Sequence, residues 1–271
     1  MRPVPIVRCV VFPGPEHNAG GVFRVGPGAA ALHTSRAPDK ETPNEDSAAL
    51  IPVGTGAAVL VVADGVGGQP SGEEASAVAI GMLRKHISAS HDDTSDLREP
   101  ILSAFEEANA RIIADGGGAA TTLAVVEIHA RLIRPYHVGD SMILVTGQRG
   151  KVKFETVSHS PVGYAVEAGI LSETEALHHE ERHLVSNVVG SKEMHVSVGT
   201  AFEMDMRDTL IIATDGLFDN LHKEEIIEFA RKGPLPDCSK RLCTLAAERM
   251  SGARVPAKPD DMTFILYRPG P

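Results

Sequence analysis

Cysteine is scarce in this sequence of 271 residues, which holds only Cys9, Cys238 and Cys243. So sparse and odd a set excludes a disulfide framework and predicts a reduced, cytoplasmic protein. Cys238 and Cys243 stand five apart, a spacing that does not put them on one helix face. No apolar run reaches the roughly 18 residues that would predict a membrane span. The segment from Met1 to Phe12 lacks the charged start, long apolar stretch and small-residue cleavage site of a signal peptide, so none is expected. Long runs of lysine or arginine are missing as well, and the formal net charge is −10. That balance excludes nucleic acid as the main partner, and it repels polyanions unless a cation sits among the acids. What is present in quantity is apolar: 42% of residues are hydrophobic, enough for a large core in one domain over residues 1–271, expected as a monomer.

The apolar pattern divides the chain into blocks. Val4 to Phe12 and Leu32 to Ser35 read as strands, with a Gly- and Pro-rich loop from Pro13 to Gly28 between them. Ala48 to Pro52 and Ala57 to Ala63 are strand-like around a Gly54-Thr55-Gly56 turn. Two amphipathic helices follow, the first with Ala75, Val78, Ala79, Met82, Leu83 and Ile87 at helical spacing and a Ser71/Glu74 capping box. The second carries Leu97, Ile101, Phe105, Ala108 and Ile112, begins at Ser95-Asp96 and ends at Gly116-Gly117-Gly118. Thr121 to Ile128, Arg131 to Val138, Ser141 to Thr146 and Lys151 to Val157 read as four strands of an antiparallel meander. Residues 158–203 are polar, rich in histidine and irregular, with a short helix near Glu173, and read as a flap laid over the sheet. A strand at Thr209 to Thr214, helices at Lys223 to Arg231 and Cys238 to Met250, and a closing strand at Met262 to Tyr267 complete the chain. This order predicts an α+β fold, two antiparallel sheets packed as a central sandwich and flanked by pairs of helices.

Acids recur where apolar strands begin or end. Leu60-Val61-Val62-Ala63 runs into Asp64-Gly65, and Leu210 to Thr214 runs into Asp215-Gly216. Glu45-Asp46 and Asp260-Asp261 precede strands, and Gly139-Asp140 joins two. Each acid alone reads as a solvated turn residue. Strands lying side by side would instead gather them at one end of the sheet. Clustered carboxylates stay ionised together only around cations, and hard oxygen ligands select Mg²⁺ or Mn²⁺. Two ions sharing one bridging carboxylate can hold a water and aim it at phosphorus.

Taken in order, Asn44-Glu45-Asp46, Asp64-Gly65-Val66-Gly67-Gly68, Ala120-Thr121-Thr122, Gly139-Asp140-Ser141, Asp215-Gly216-Leu217-Phe218-Asp219 and Asp260-Asp261-Met262-Thr263 resemble the motifs of the metal-dependent protein phosphatases, the type 2C serine/threonine phosphatases. The resemblance spans about residues 31 to 268, and Ser158 to Gly163 and Glu181 to Gly190 are similar to the flap of bacterial members. It implies hydrolysis of phosphoserine and phosphothreonine on phosphorylated protein substrates by a water activated at two Mn²⁺ or Mg²⁺ ions. The resemblance further implies that Asp64 bridges the two ions, that the Gly65 carbonyl binds the first, and that Asp46, Asp215 and Asp260 complete the second. Asp64, Asp215 and Asp260 are thereby the catalytic acids. Glu45 would bind directly or through water, and Asp140 with Asp215 would hold a third, weaker ion. Thr121 and Thr122 would position backbone, while Asp219 and Asp261 would support turns or neighbouring ligands.

Two departures stand out. The arginine that many members carry four residues before the motif glutamate is Glu41 here, which leaves Lys40, and secondarily Arg36, to bind the substrate phosphate. Val66 takes the place of the histidine that follows Asp-Gly in eukaryotic members, so water would protonate the leaving oxygen. Two other functions compete. His179-Glu180-Glu181-Arg182-His183 matches the His-Glu-x-x-His pattern of zinc proteases, if it lies on a helix. A non-catalytic binding module with a phosphatase-like fold is the other, although none of the expected acids is missing.

Overall fold

The computed structural model describes residues 9–12, 18–66, 72–89, 96–252 and 257–270. Gly67, Gly68, Ser71 and Ser95 lie outside the described residues. Strands β1 (Val10–Phe12), β2 (Asn18–Val25), β3 (Gly28–Ser35), β4 (Asp46–Val53) and β5 (Ala57–Val66) come first, followed by helices α1 (Gly72–Ala89) and α2 (Arg98–Asp115). Next are β6 (Ala120–Thr121), β7 (Leu123–His129), β8 (Leu132–Val138), β9 (Met142–Thr146) and β10 (Val152–Glu155). Short elements follow: α3 (Pro161–Glu167), α4 (Glu173–Leu177), a 3-10 turn at Glu180–His183, β11 (Ser197–Val198) and β12 (Phe202–Glu203). The chain closes with β13 (Thr209–Ala213), α5 (Asp215–Phe218), α6 (Lys223–Ala230), α7 (Leu235–Met250) and β14 (Met262–Pro269).

The strands form two sheets. One runs β1-β4-β5-β7-β8-β11, with β6 also on β5 and β12 also on β8; the other runs β10-β9-β13-β14-β3-β2. Neighbours are antiparallel throughout. Strand periodicity explains the layers. In β5, Ala58, Leu60 and Val62 meet Leu210, Ile212, Ile265 and Tyr267 of the facing sheet. The alternate set, Val59, Val61 and Ala63, meets Ala79, Leu83, Ile101 and Phe105 of α1 and α2. The second sheet repeats the division, with Ile211, Phe264 and Leu266 against Leu217, Ile226, Leu242 and Ala246 of α5, α6 and α7. An antiparallel sheet usually alternates apolar with polar because one face is wet. Here helices cover both outer faces, so β5 and β13 are apolar continuously. The α+β sandwich expected from the sequence is the fold observed. Among the described residues, no helix is long and apolar enough to cross a membrane.

Two local expectations fail. The Pro13–Gly28 stretch, read as a loop, contains β2, an edge strand paired along its length with β3. Its glycines serve close pairing, since a Cβ at Gly20 would lie 2.5 Å from the Leu32 carbonyl oxygen. The four-strand meander also divides: β7 pairs with β8 in one sheet, and β9 pairs with β10 in the other. The chain changes sheets at Gly139, whose φ of 100° strains any residue with a side chain. A Cβ there would also meet the Thr122 side chain at 2.7 Å.

Candidate metal centre

Strand pairing gathers the acids. Asp46 opens β4 and stands directly opposite Asp64 of β5 in the register. Because β13 and β14 are antiparallel neighbours, the end of one lies beside the start of the other. Asp215, two residues beyond the end of β13, therefore stands near Asp260 at the entry to β14. Asp140 arrives from the link between β8 and β9, where the chain crosses from one sheet to the other. Like charges directly across a strand pair are destabilising, and the charges of Asp46, Asp215, Asp260 and Asp140 all bear on Asp64.

Buried hydroxyls and amides hold these acids in place. Thr122 Oγ1 accepts the Asp64 N–H at 3.0 Å, and the Thr122 N–H donates to the Asp64 carbonyl at 2.8 Å. Thr121 Oγ1 donates to the same carbonyl at 2.8 Å. Thr214 Oγ1 donates to Asp46 Oδ2 at 2.9 Å, and Asn44 Oδ1 accepts the Asp46 N–H at 2.9 Å. At Gly216 a Cβ would collide with the Asp261 carbonyl, so only glycine lets α5 begin this close to β14.

The electrostatics of the cluster are unfavourable without a counter-ion. Burial, then the neighbouring carboxylates, pushes Asp46 and Asp64 well above the usual carboxylate range. Burial and Asp215 push Asp140 up to about 8. Asp219 and Asp260 rise to about 6 from the same two causes, in the same order. Asp46 Oδ1, Asp140 Oδ1 and Asp215 Oδ1 are buried without a hydrogen-bond partner. A buried carboxylate oxygen that is aimed at nothing is costly, and cations are what such oxygens accept. A second cradle lies at the start of α1, where a Cβ on Gly72 would fall 2.6 Å from Glu45 Oε1 and 3.0 Å from the Gly65 carbonyl oxygen. The donor set, hard oxygens only, therefore fits a divalent ion such as Mg²⁺ or Mn²⁺. Among the described residues, no three His, Cys, Asp or Glu side chains are already drawn together as an ion-binding group.

Lysines hold the rim. Lys40 Nζ binds Glu45 Oε2 at 2.7 Å and Asp261 Oδ2 at 2.6 Å. Asp261 also accepts the Ala37 and Glu45 N–H groups at 2.8 and 2.7 Å, so it ties the Lys40 loop to β14. Arg36 makes a long contact of 3.5 Å to the Thr42 carbonyl. Lys258, which sequence reasoning missed, binds Asp215, Asp219 and Asp260. Burial lowers its pKa, and the three carboxylates more than offset that, leaving it raised. The only sequence signal was its place two residues before Asp260. Of the expected residues, Asp46, Asp64, Asp140, Asp215 and Asp260 converge, Glu45 with Gly65 stands at the α1 side, and Lys40 and Arg36 lie on the adjoining loop.

The histidine motif does not form a zinc site of the protease type. His179 is extended, with φ −72° and ψ 138°, and caps a 3-10 turn rather than sharing an α-helical face with His183.

Known proteins resemble this chain in sequence and in fold. The profile of the family described as protein phosphatase 2C matches residues 35–249. Protein phosphatase PhpP of Streptococcus pneumoniae is 29% identical over 216 residues, covering 76% of this chain and 87% of its own. The crystal structure of serine/threonine phosphatase Stp1 from Staphylococcus aureus superposes with a TM-score of 0.79 at 25% identity, covering 93% of this chain and 100% of that one. The catalytic domain of serine/threonine protein phosphatase PstP, crystallised with two manganese ions, gives a TM-score of 0.72 at 25% identity and covers 88% and 96%. The chain belongs to the protein phosphatase 2C family, the metal-dependent phosphatases that its motifs resemble.

Proposed function

We propose that this protein is a metal-dependent serine/threonine protein phosphatase, acting in the cytoplasm as one domain over residues 1–271, with residues 158–203 as a flap that shapes substrate choice. The observation that carries the reading is the set of buried, unpartnered oxygens of Asp46, Asp140 and Asp215, acids that stand at strand ends of both sheets. Asp64, opposite Asp46 in the register, would be shared between two divalent ions; Asp46, Asp215 and Asp260 would hold one of them, and Gly65 and Glu45 the other. When bound, such ions lower the pKa of water and neutralise charge on a phosphoryl group. The protein's own part is positional. Thr121 and Thr122 fix the Asp64 backbone, Thr214 orients Asp46, and Gly216 brings Asp215 against the start of β14. No side-chain nucleophile is required: Cys238 is buried on α7, Cys243 is on the same helix, and Cys9 lies on the exposed approach to β1.

Purified protein is expected to hydrolyse p-nitrophenyl phosphate and phosphothreonine peptides with Mn²⁺ or Mg²⁺ and to stop in EDTA. No turnover with any divalent ion would sink the enzyme reading in favour of a binding module.

Of the two basic residues expected to meet the phosphate, Arg36 is the freer to do so, because the Lys40 ammonium already serves Glu45 and Asp261. Arg36→Ala is expected to raise KM roughly tenfold, the effect of losing one charge-assisted contact worth about 1.5–3 kcal/mol. Lys40→Ala is expected instead to lower stability by about 1–3 kcal/mol, because it leaves Asp261 buried without its cation. Steady-state kinetics with thermal melts on both variants separate the roles. The reverse pattern would return the phosphate to Lys40.

A further inference from the structure

The oxygens of the acid cluster divide into two sets. Asp46 Oδ1, Asp140 Oδ1 and Asp215 Oδ1 are buried and have no hydrogen-bond partner. In the other set, Lys258 Nζ binds Asp215 Oδ2, Asp219 Oδ2 at 2.9 Å and Asp260 Oδ2 at 3.1 Å. The ammonium is held there from behind. The Lys258 N–H donates to Asn220 Oδ1 at 2.9 Å, and its carbonyl accepts from Asn220 Nδ2 at 2.8 Å. Asn220 is fully buried and also donates to the Gly216 carbonyl at 2.9 Å. Arg249 Nη1 in turn donates to the Asn220 carbonyl at 3.2 Å. The same anchor thus fixes the lysine backbone and the short helix that begins at Asp215 and ends against Asp219. A loosely placed surface lysine would need no such clamp.

We propose that Lys258 is a built-in cation standing where the third ion expected at Asp140 and Asp215 would lie, so that the chain takes two divalent ions and no third beside Asp215. An ammonium can meet several carboxylate oxygens as a point charge without displacing the other ligands. A divalent ion at that position would have to expel it, at the cost of its three ion pairs. The proposal rests on the metal-centre reading above.

The test is a count of bound Mn²⁺ per chain, by equilibrium dialysis with elemental analysis and by the electron paramagnetic resonance signal of free Mn²⁺. Wild type is expected to saturate at two ions, Lys258→Met at three and Lys258→Arg at two, with folding checked by circular dichroism. Saturation of the wild type at three overturns the proposal without recourse to any variant. So does a folded Lys258→Met that stays at two. A wild type that binds no Mn²⁺ at all would overturn the metal centre itself, a result distinct from either.

Discussion

Asp64→Asn is expected to lower phosphatase turnover roughly 10³-fold or more while the fold is kept, a loss of about 4 kcal/mol or more of transition-state stabilisation. The substitution is nearly isosteric. The groups that fix residue 64 act on its backbone: Thr122 on its N–H, Thr121 and Thr122 on its carbonyl. None is lost when the carboxylate becomes an amide. What disappears is one negative charge at the place where Asp46, Asp140, Asp215 and Asp260 all exert their fields. Mn²⁺ affinity should fall in parallel, since the carboxylate proposed to serve both ions is gone. The opposite sign is expected for the metal-free protein. Asp64 is held well above the usual carboxylate range by burial and by its neighbours, so its ionised form destabilises the native state. The metal-free variant should melt higher than metal-free wild type at pH 8. Turnover within tenfold of wild type would refute a shared ligand, and an unfolded variant would refute a purely electrostatic role.

That the acids would meet was legible because each sits at the end of an apolar run, and antiparallel pairing brings such ends together. Asp46 and Asp64 are register partners for that reason, and Asp215 lies near Asp260 because β13 and β14 are neighbours. The helices were legible from their apolar stripes, and Gly116 ends α2 in the left-handed conformation with φ 71°. Strand β2 was not, because Gly20 and Gly21 read as loop residues, whereas here they allow an edge strand to approach β3. Nor was the change of sheet at Gly139. A tight turn between two strands looks alike in sequence whether the strands pair or part, and only the positive φ and the contact with Thr122 mark the difference. The lysines were hardest to read. A lone lysine in a polar loop carries no periodicity, so the engagement of Lys40 by Asp261 and of Lys258 by Asp215 depends on contacts between residues more than 40 positions apart.

Between pH 6.5 and 8.5 the metal-free protein is expected to lose stability, and the Mg²⁺-loaded protein is not. The sign follows from the direction of the shifts. Asp140 is raised to about 8, and Asp46 and Asp64 are also raised, so the native state keeps protons that the unfolded chain has already released. Stability from these groups is fully present below the unfolded carboxyl value and is lost as pH rises through the folded one. Each contributes at most about 1.4 kcal/mol per pH unit. The groups shifted the other way do not oppose this loss. Glu107, Glu175, Asp205 and Glu228 are lowered, so their contributions change only in acid. His33 and His159 are pushed down to about 4, and His137 is lowered too, mainly by burial; their destabilising protonation belongs below pH 6.5. Divalent ions reverse the alkaline loss because they bind the ionised carboxylates, and their affinity rises as protons leave. At Mg²⁺ concentrations about 100-fold above Kd, each site adds about 2.7 kcal/mol, which for a chain of this size raises Tm by about 5–10 °C. The expected signature is a Mg²⁺-induced rise in Tm that grows from pH 6.5 to 8.5, measured by calorimetry against EDTA-treated protein. A rise independent of pH would mean that Mg²⁺ acts elsewhere on the protein. Metal-free protein that melts higher at pH 8.5 than at 6.5 would mean that these carboxylates are ionised and already compensated without divalent ions, with Lys258 as the nearest source of that charge.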